Sequence, residues 1–504
     1  MGATSPPFAL GEEVCMTTGK AYLVGAGPGD IGLITVKGLE AIQRAEVILY
    51  DRLANPKLLD FAPPNCEFIY CGKLPDRHTL RQEKINELLV EKTAAGKIVV
   101  RLKGGDPGVF GRVGEEAEAL AQNGLSFELI PGITSGIAAP LYAGIPVTHR
   151  EYGESFAIVT AHDKSKDGKS TLNWEGLAKG IDTIAFYMGV GNLSHICTNL
   201  LSHGKPSSTP VTLIQWGTFG RQKTLEGTLE TIVQRVEEEK FTNPAITLVG
   251  NIASLRAKIS WFEKKPLFGR QILLPRTGLN TSNLAKALEE QGADVIEFPK
   301  WKRVKITPDR LILSKLSMYS SIIFTSPESV EEFFQILIEE KIDIRCIQAD
   351  LYGMSRKSVN QLLNKGLLAE PTENLRKGGT ILLIGSSNNI EETSQNVLNF
   401  GNFDTFTTSI KEVDESYLPI FKRMLDDSKL NTVIFPSSAS VPILIKAIEK
   451  TDSLTTDMLK ELEIYCFGNQ TMNALLAHDI LGAEQTKEAT ISSLLLSLAK
   501  KSDS

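Results

Sequence analysis

Short apolar runs, each closed by a glycine or polar turn, alternate with amphipathic stretches through the first 260 residues. Ala21-Tyr22-Leu23-Val24, Val47-Ile48-Leu49-Tyr50, Ile98-Val99-Val100-Arg101-Leu102, Phe156 to Thr160, Thr183 to Tyr187 and Ile246 to Gly250 have strand length and no polar alternation. Residues 81–95 and 114–123 carry the helical period instead. Strands without a wet face, separated by amphipathic helices, predict an α/β fold with a largely parallel sheet. Pro131-Gly132 interrupts the pattern midway and predicts a joint between two lobes, with a cleft between them.

A charged, proline-ended stretch, Trp261 to Pro266, marks the main boundary, and a new strand begins at Gln271-Ile272-Leu273-Leu274-Pro275. The second half then repeats itself. Ile322 to Pro327 leads into a helical segment, as does Val433 to Ser438; Leu351 to Ser355 parallels Tyr465 to Asn469 in the same way. Two copies of one α/β unit account for this.

The bulk properties narrow the function. A chain of 504 residues holds three or four units at about 150 residues each. No apolar window nears the roughly 18 residues of a membrane span, and the start lacks a secretory pattern. Met16 offers an alternative start, with residues 1–15 as an extension. The six cysteines are scattered without C-x-x-C or Cys/His clustering, which points to a reducing cytoplasm and to no metal site. A net charge of −6 provides no field for nucleic acid, so an anionic substrate needs a local basic pocket.

Gly25-Ala26-Gly27-Pro28-Gly29-Asp30 follows the first strand directly. It approximates a dinucleotide fingerprint, and Asp51 stands where a ribose-binding acid belongs. An NAD-dependent oxidoreductase is therefore one alternative. Against it, Asp30 replaces the third glycine and Pro28 removes an N–H that would hold a pyrophosphate. A second loop, Lys103-Gly104-Gly105-Asp106-Pro107-Gly108, and a third, Gly132-Ile133-Thr134-Ser135-Gly136, also follow strands. Three such turns predict one ligand crevice at the strand ends. Taken singly, each is explained as a plain strand-to-helix connection.

These blocks, together with Tyr50-Asp51-Arg52-Leu53, Ile145-Pro146-Val147-Thr148-His149-Arg150 and Phe186-Tyr187-Met188-Gly189, resemble the signatures of the uroporphyrinogen-III C-methyltransferases, within the tetrapyrrole methylase family. The resemblance implies a two-lobed domain over residues 19–262, with lobes about 19–130 and 131–262 after an extension 1–18. It also implies S-adenosylmethionine as co-substrate. Pro28, Gly104, Gly105, Asp106, Val109, Thr134, Ser135, Met188, Gly217 and Ala245 fall at its donor-binding positions. Asp51 matches a proton acceptor and Lys73 a proton donor, while Arg52, His149 and Arg150 are placed toward substrate carboxylates. A homodimer through this domain is implied as well. The stretch Gly72 to His78 departs from the family pattern, lacking the usual basic residue after Lys73.

After a linker at 263–267, residues 268–504 resemble uroporphyrinogen-III synthase through Leu274-Pro275-Arg276, Phe324-Thr325-Ser326-Pro327, Ser437-Ser438 and Gly468-Asn469-Gln470-Thr471. That implies a second two-lobed α/β domain, one lobe about 268–303 plus 414–504 and the other about 304–413, needing no cofactor. Arg276, Ser326, Ser437, Ser438 and Thr471 are the substrate-binding candidates. The alternatives are that the serines only cap helices, and that the module is degenerate and non-catalytic. Both substrates are small tetrapyrroles, and one half makes what the other methylates.

Overall fold

The computed structural model describes residues 19–72, 81–161, 172–278, 281–376, 378–397 and 402–500. Four sheets organise them. The first holds β1 (Lys20–Gly25), β2 (Val47–Tyr50), β3 (Glu67–Tyr70), β4 (Ile98–Lys103) and β5 (Ser126–Ile130), in the order β3-β2-β4-β1-β5. All its pairings are parallel, so the five strands end at one edge. Every residue of β2 is buried, as covering helices require. β4 is buried from Val99 onward but carries Arg101 and Lys103, two charges that must be neutralised inside.

The second sheet contains β6 (Phe156–Thr160), β7 (Thr183–Tyr187), β8 (Pro210–Gln215), β9 (Lys223–Thr228) and β10 (Ala245–Val249), ordered β6-β7-β10-β8-β9. It is mixed, less parallel than the largely parallel sheet expected: β6 pairs with β7 in parallel, but β10 runs antiparallel to β7 and β8, and β8 to β9. The connection between β8 and β9 carries no crossover helix, and a hairpin is the pairing such a link permits. Because β10 is reversed, its first residue, Ala245, shares an edge with the last residues of β7 and β8. The helix Ser135–Tyr142 packs Ala139 into this sheet's core with Ala185, Ile214 and Ile246.

Beyond residue 266 lie β11 (Gln271–Pro275), β12 (Asp294–Phe298), β13 (Trp301–Lys305), β14 (Ser321–Phe324), β15 (Asp350–Gly353), β16 (Ala369–Pro371), β17 (Ile381–Ser386), β18 (Phe403–Val413), β19 (Thr432–Phe435), β20 (Glu463–Cys466) and β21 (Glu484–Gln485). They form the sheets β12-β11-β19-β20-β21 and β13-β18-β17-β14-β15-β16. The antiparallel pair β13 and β18 carries the chain into and out of the second of these. The repeat seen in the sequence is structural: β14 and its helix Pro327–Glu339 lead to parallel β15, as β19 and the helix Ser440–Ile448 lead to parallel β20.

One buried cluster joins the halves, running from Val24, Ile48 and Val100 to Ile296, Phe298 and Phe421. Phe298 and Phe421 stack at 3.8 Å within it. Among the described residues no helix is long and apolar enough to cross a membrane, and no group of His, Cys, Asp and Glu is placed to hold a metal ion.

Candidate active site

The loops after β1, β4 and β5 are tied to one another by backbone. Gly27 N–H donates to Gly105 O at 3.1 Å and Gly105 N–H to Gly27 O at 2.7 Å. Asp106 bridges further, accepting from Gly108 N–H at 2.7 Å and from Gly132 N–H at 3.0 Å. A Cβ on Gly132 would stand 2.3 Å from Gly105 O, and one on Gly25 would stand 2.5 Å from Gly132 N. The sequence reading gave these glycines to a ligand's approach; the structure uses their missing side chains to bring three loops into contact. Gly104 likewise packs on Leu53, whereas Gly105 is required by its φ of +69°.

The turn after β1 has no vacancy for a pyrophosphate. Asp30 caps the following helical turn by accepting from Gly32 N–H at 2.8 Å, takes the Tyr142 hydroxyl at 2.7 Å, and donates its own N–H to Thr218 Oγ1 at 2.8 Å. Burial, and then the Asp30 carboxylate, push the Tyr142 phenol above its ordinary range. Asn55, buried after β2, donates to Gly29 O at 2.7 Å. The start of helix Ser135–Tyr142 is closed too: Tyr187 OH accepts from Gly136 N–H and shares a hydrogen bond with Thr134 Oγ1, both at 2.5 Å. Gly32 N–H after the first loop and Gly136 N–H after the third are thus already engaged and not available to an anion.

The second sheet faces this knot with the loops after β7 and β8. Met188 is 49% exposed, Gly217 packs on Ala139, and Phe110 meets the Tyr187 ring edge-on at 5.3 Å. Among the described residues, eight non-glycine residues have positive φ, and five are Phe110, Arg112, Met188, Trp216 and Thr218. Left-handed backbone of this kind persists where neighbours enforce it, and it concentrates at binding sites. Pro28, Val109 and Ser135 are half-buried on the same rim, and Ala245 opens β10 beside Gln215. The ten donor-binding candidates therefore converge on one interlobe edge, although they were spread over more than 200 residues of sequence.

Asp51 directly follows β2, next to β4, and is one end of a buried charge chain. Arg101 Nη2 donates to Asp51 Oδ1 at 2.6 Å, and Arg101 Nε to Glu116 Oε1 at 3.0 Å. Lys103 Nζ donates to the same Glu116 oxygen at 2.8 Å, with Gln82 adding a contact at 3.2 Å. Arg101 is 2% exposed and Glu116 fully buried. Burial alone would lower the Arg101 pKa, but the Asp51 and Glu116 carboxylates outweigh it and raise it. For Lys103 burial and then neighbouring Arg101 prevail, and its pKa falls. Glu116 was missed from the sequence; its signal was Arg101 and Lys103 sharing one face of a buried strand, which demands a carboxylate opposite.

The remaining candidates are placed as follows. Lys73 lies outside the described residues. Arg52 is ion-paired at 2.5 Å with Asp427 of the second half. His149 is engaged within its own turn, its backbone bonded to Gly153 and its Nδ1 accepting from Glu151 N–H; Arg150 is exposed. Arg276 is 4% exposed and donates to Asp60 Oδ2 at 3.0 Å, so its charge is spent on holding the two halves together. Ser437, Ser438 and Thr471 follow β19 and β20 along the same edge at which Arg276 follows β11. Ser326 sits on the other sheet, where its hydroxyl forms a capping box with Ser329.

Two families match these two regions. Residues 20–233 fit the Tetrapyrrole (Corrin/Porphyrin) Methylases, and residues 282–495 fit Uroporphyrinogen-III synthase HemD. The molecule is thus a tetrapyrrole methylase joined to a uroporphyrinogen-III synthase region. Uroporphyrinogen-III C-methyltransferase of Bacillus subtilis (strain 168) is 48% identical over 90% of this chain and 93% of its own. Porphyrin biosynthesis protein HemD of Ruminiclostridium josui is 32% identical over 95% of this chain and 98% of its own. A crystal structure of Uroporphyrin-III C-methyl transferase from Thermus thermophilus complexed with S-adenyl homocysteine is 36% identical, covers 47% of this chain and all of that one, and has a TM-score of 0.40. The chain belongs to the uroporphyrinogen-III C-methyltransferase family, in the form that carries a synthase region.

Proposed function

We propose that the first half methylates uroporphyrinogen III at C2 and C7 to give precorrin-2, and that the second half forms uroporphyrinogen III from hydroxymethylbilane. The observation that carries the methyltransferase reading is the backbone knot of Gly27, Gly105 and Gly132, faced across the lobes by Met188 and Gly217. S-adenosylmethionine, when bound there, supplies an electrophilic methyl group. Its fit rests on what the rim offers: an exposed thioether and aromatic edge at Met188 and Phe110, and carboxylate lone pairs on Asp106. The chain's own work is to align the donor with the pyrrole carbon, exclude water, and take up the proton that carbon loses. Asp51 is the acceptor in this reading, held in place by Arg101.

The synthase half needs a pocket orienting a flexible polyanion. Ser437, Ser438 and Thr471 on one strand edge support it. A second reading, a non-catalytic module, is favoured by Arg276 being committed to Asp60 and Ser326 to its capping box. A homodimer through the first half belongs to the main proposal, supported by exposed Ile137 and Leu141 on the helix Ser135–Tyr142 and Ile133 just before it, and so does a cytoplasmic setting.

Purified full-length protein incubated with hydroxymethylbilane and labelled S-adenosylmethionine tests both halves. Two methyl groups per type III macrocycle is the expected result. Type I porphyrin alone refutes the synthase role; unlabelled type III product refutes the methyltransferase role.

A further inference from the structure

A small cavity opens where the two halves meet, beside the strand end that carries Asp51. Arg52, Lys57 and Arg221 line it from the first half, and Asp294, Arg423 and Asp427 from the second. Four cations face two carboxylates, in a chain whose net charge is −6. Arg52 pairs with Asp427 and Arg221 with Asp294, each at 2.5 Å, and Lys57 pairs with Glu289. Arg423 has no carboxylate partner among the described residues. Its guanidinium stands over the rings of Tyr50 and Tyr70, at 5.0 and 4.7 Å, and its buried Nη2 has no hydrogen-bond acceptor.

A guanidinium N–H withdrawn from water without an acceptor is costly, and the contacts Arg423 makes with Tyr50 and Tyr70, side-chain hydrogen bonds included, leave Nη2 unsatisfied. The missing acceptor is planar and anionic by preference, since the guanidinium fork matches a carboxylate. Position adds to this, because Tyr50 immediately precedes Asp51 and Arg52 immediately follows it. The cavity, about 20 Å³, has room for a water-sized group such as one carboxylate oxygen and not for a macrocycle.

We infer that Arg423, projecting from the second half, is a substrate-binding residue of the methyl-transfer site and, with Arg52, receives one carboxylate arm of the tetrapyrrole. This rests on the reading that the first half acts on uroporphyrinogen III. The methyl-transfer site is then completed by the synthase half, and Asp427 holds Arg52 until a substrate carboxylate takes its place.

The test uses the full chain with Arg423→Met and Arg423→Lys. In steady-state methylation, Arg423→Met raises KM for uroporphyrinogen III about tenfold, the worth of a charge-assisted hydrogen bond, while KM for S-adenosylmethionine stays at the wild-type value. Lysine keeps the charge but loses the fork, and gives an intermediate rise. Fluorescence titration with uroporphyrin III, an unreactive octacarboxylate, shows the same loss of affinity, and its octamethyl ester shows no difference between wild type and variants. Wild-type KM and wild-type uroporphyrin affinity in Arg423→Met overturn the proposal, whatever its melting temperature. If the methionine variant does not fold, wild-type values in Arg423→Lys overturn it equally. Should the wild-type protein methylate no uroporphyrinogen III, the functional reading fails, and the uroporphyrin titration decides the subsite by itself.

Discussion

Arg101 reaches Asp51 with Nη2 at 2.6 Å while its Nε holds fully buried Glu116 at 3.0 Å. One guanidinium thereby spans the carboxylate at the site edge and the carboxylate in the core. Asp51→Asn keeps the size and one acceptor of the side chain, so the protein is expected to fold while methyl transfer drops at least tenfold; an unchanged rate removes Asp51 from the proton-acceptor role. Arg101→Met leaves Glu116 buried with Lys103 as its main partner and is expected to cost about 3–5 kcal/mol in urea unfolding.

The loop knot makes an asymmetric prediction about glycines. Gly132→Ala sets a methyl group against Gly105 O, and overpacking of this kind costs about 1–3 kcal/mol. Gly114, in the helix Val113–Gln122, has nothing within 4 Å of its Cβ position, and Gly114→Ala should gain about 0.5–1 kcal/mol. Affinity for S-adenosylhomocysteine, measured by calorimetry, falls in the first variant and holds in the second.

Asp60 ties the halves through Arg276 at 3.0 Å and Lys300 at 2.7 Å. Asp60→Asn removes the carboxylate that Arg276 and Lys300 share at the interface, an expected loss of about 3 kcal/mol. Scanning calorimetry should show one transition in the wild type, because the core is shared, and two in the variant.

Glu128 on β5 accepts from Lys37 and from Lys20, at 2.9 Å for the latter, and these hydrogen bonds lower its carboxyl pKa from 4.5 to about 2. A carboxyl depressed on folding stabilises the native state above its unfolded pKa and loses that contribution as the pH falls through the folded value. The urea midpoint of the wild type should therefore drop between about pH 4.5 and 2, and Glu128→Gln should flatten that part of the curve.

Ser326→Ala removes the hydroxyl that caps the helix Pro327–Glu339, at an expected cost of about 1 kcal/mol. If capping is its whole task, hydroxymethylbilane turnover stays at the wild-type rate. A loss of turnover beyond the loss of folded protein places Ser326 in the substrate pocket.

Much was legible along the chain because it was local. Largely apolar runs without polar alternation gave β2 and β4 their places in a covered sheet, and the duplicated strand-to-helix turns at 322–327 and 433–438 gave the second half its repeat. The three glycine loops were visible for the same reason: turn chemistry is written in consecutive residues. Their use was not. Gly25, Gly105 and Gly132 are separated by up to 107 positions in the chain, and only sheet order sets them backbone to backbone. The mixed pairing of β10 escaped for a related reason, since an apolar run fixes a strand but not its direction.

Charge assignments were the least legible. Arg52 and Arg276 were expected to meet an acidic substrate, and Arg101 and Lys103 stood in the signature blocks beside them with no partner visible along the chain. The folded chain gives Arg101 and Lys103 to Glu116, Arg276 to Asp60 and Arg52 to Asp427. By itself the sequence determined the two α/β halves, the strand-end loops and the residue types available at the site. Tertiary structure alone decided which charges are already neutralised, because a salt bridge depends on distance through space, and the partners here lie between 13 and 375 residues apart.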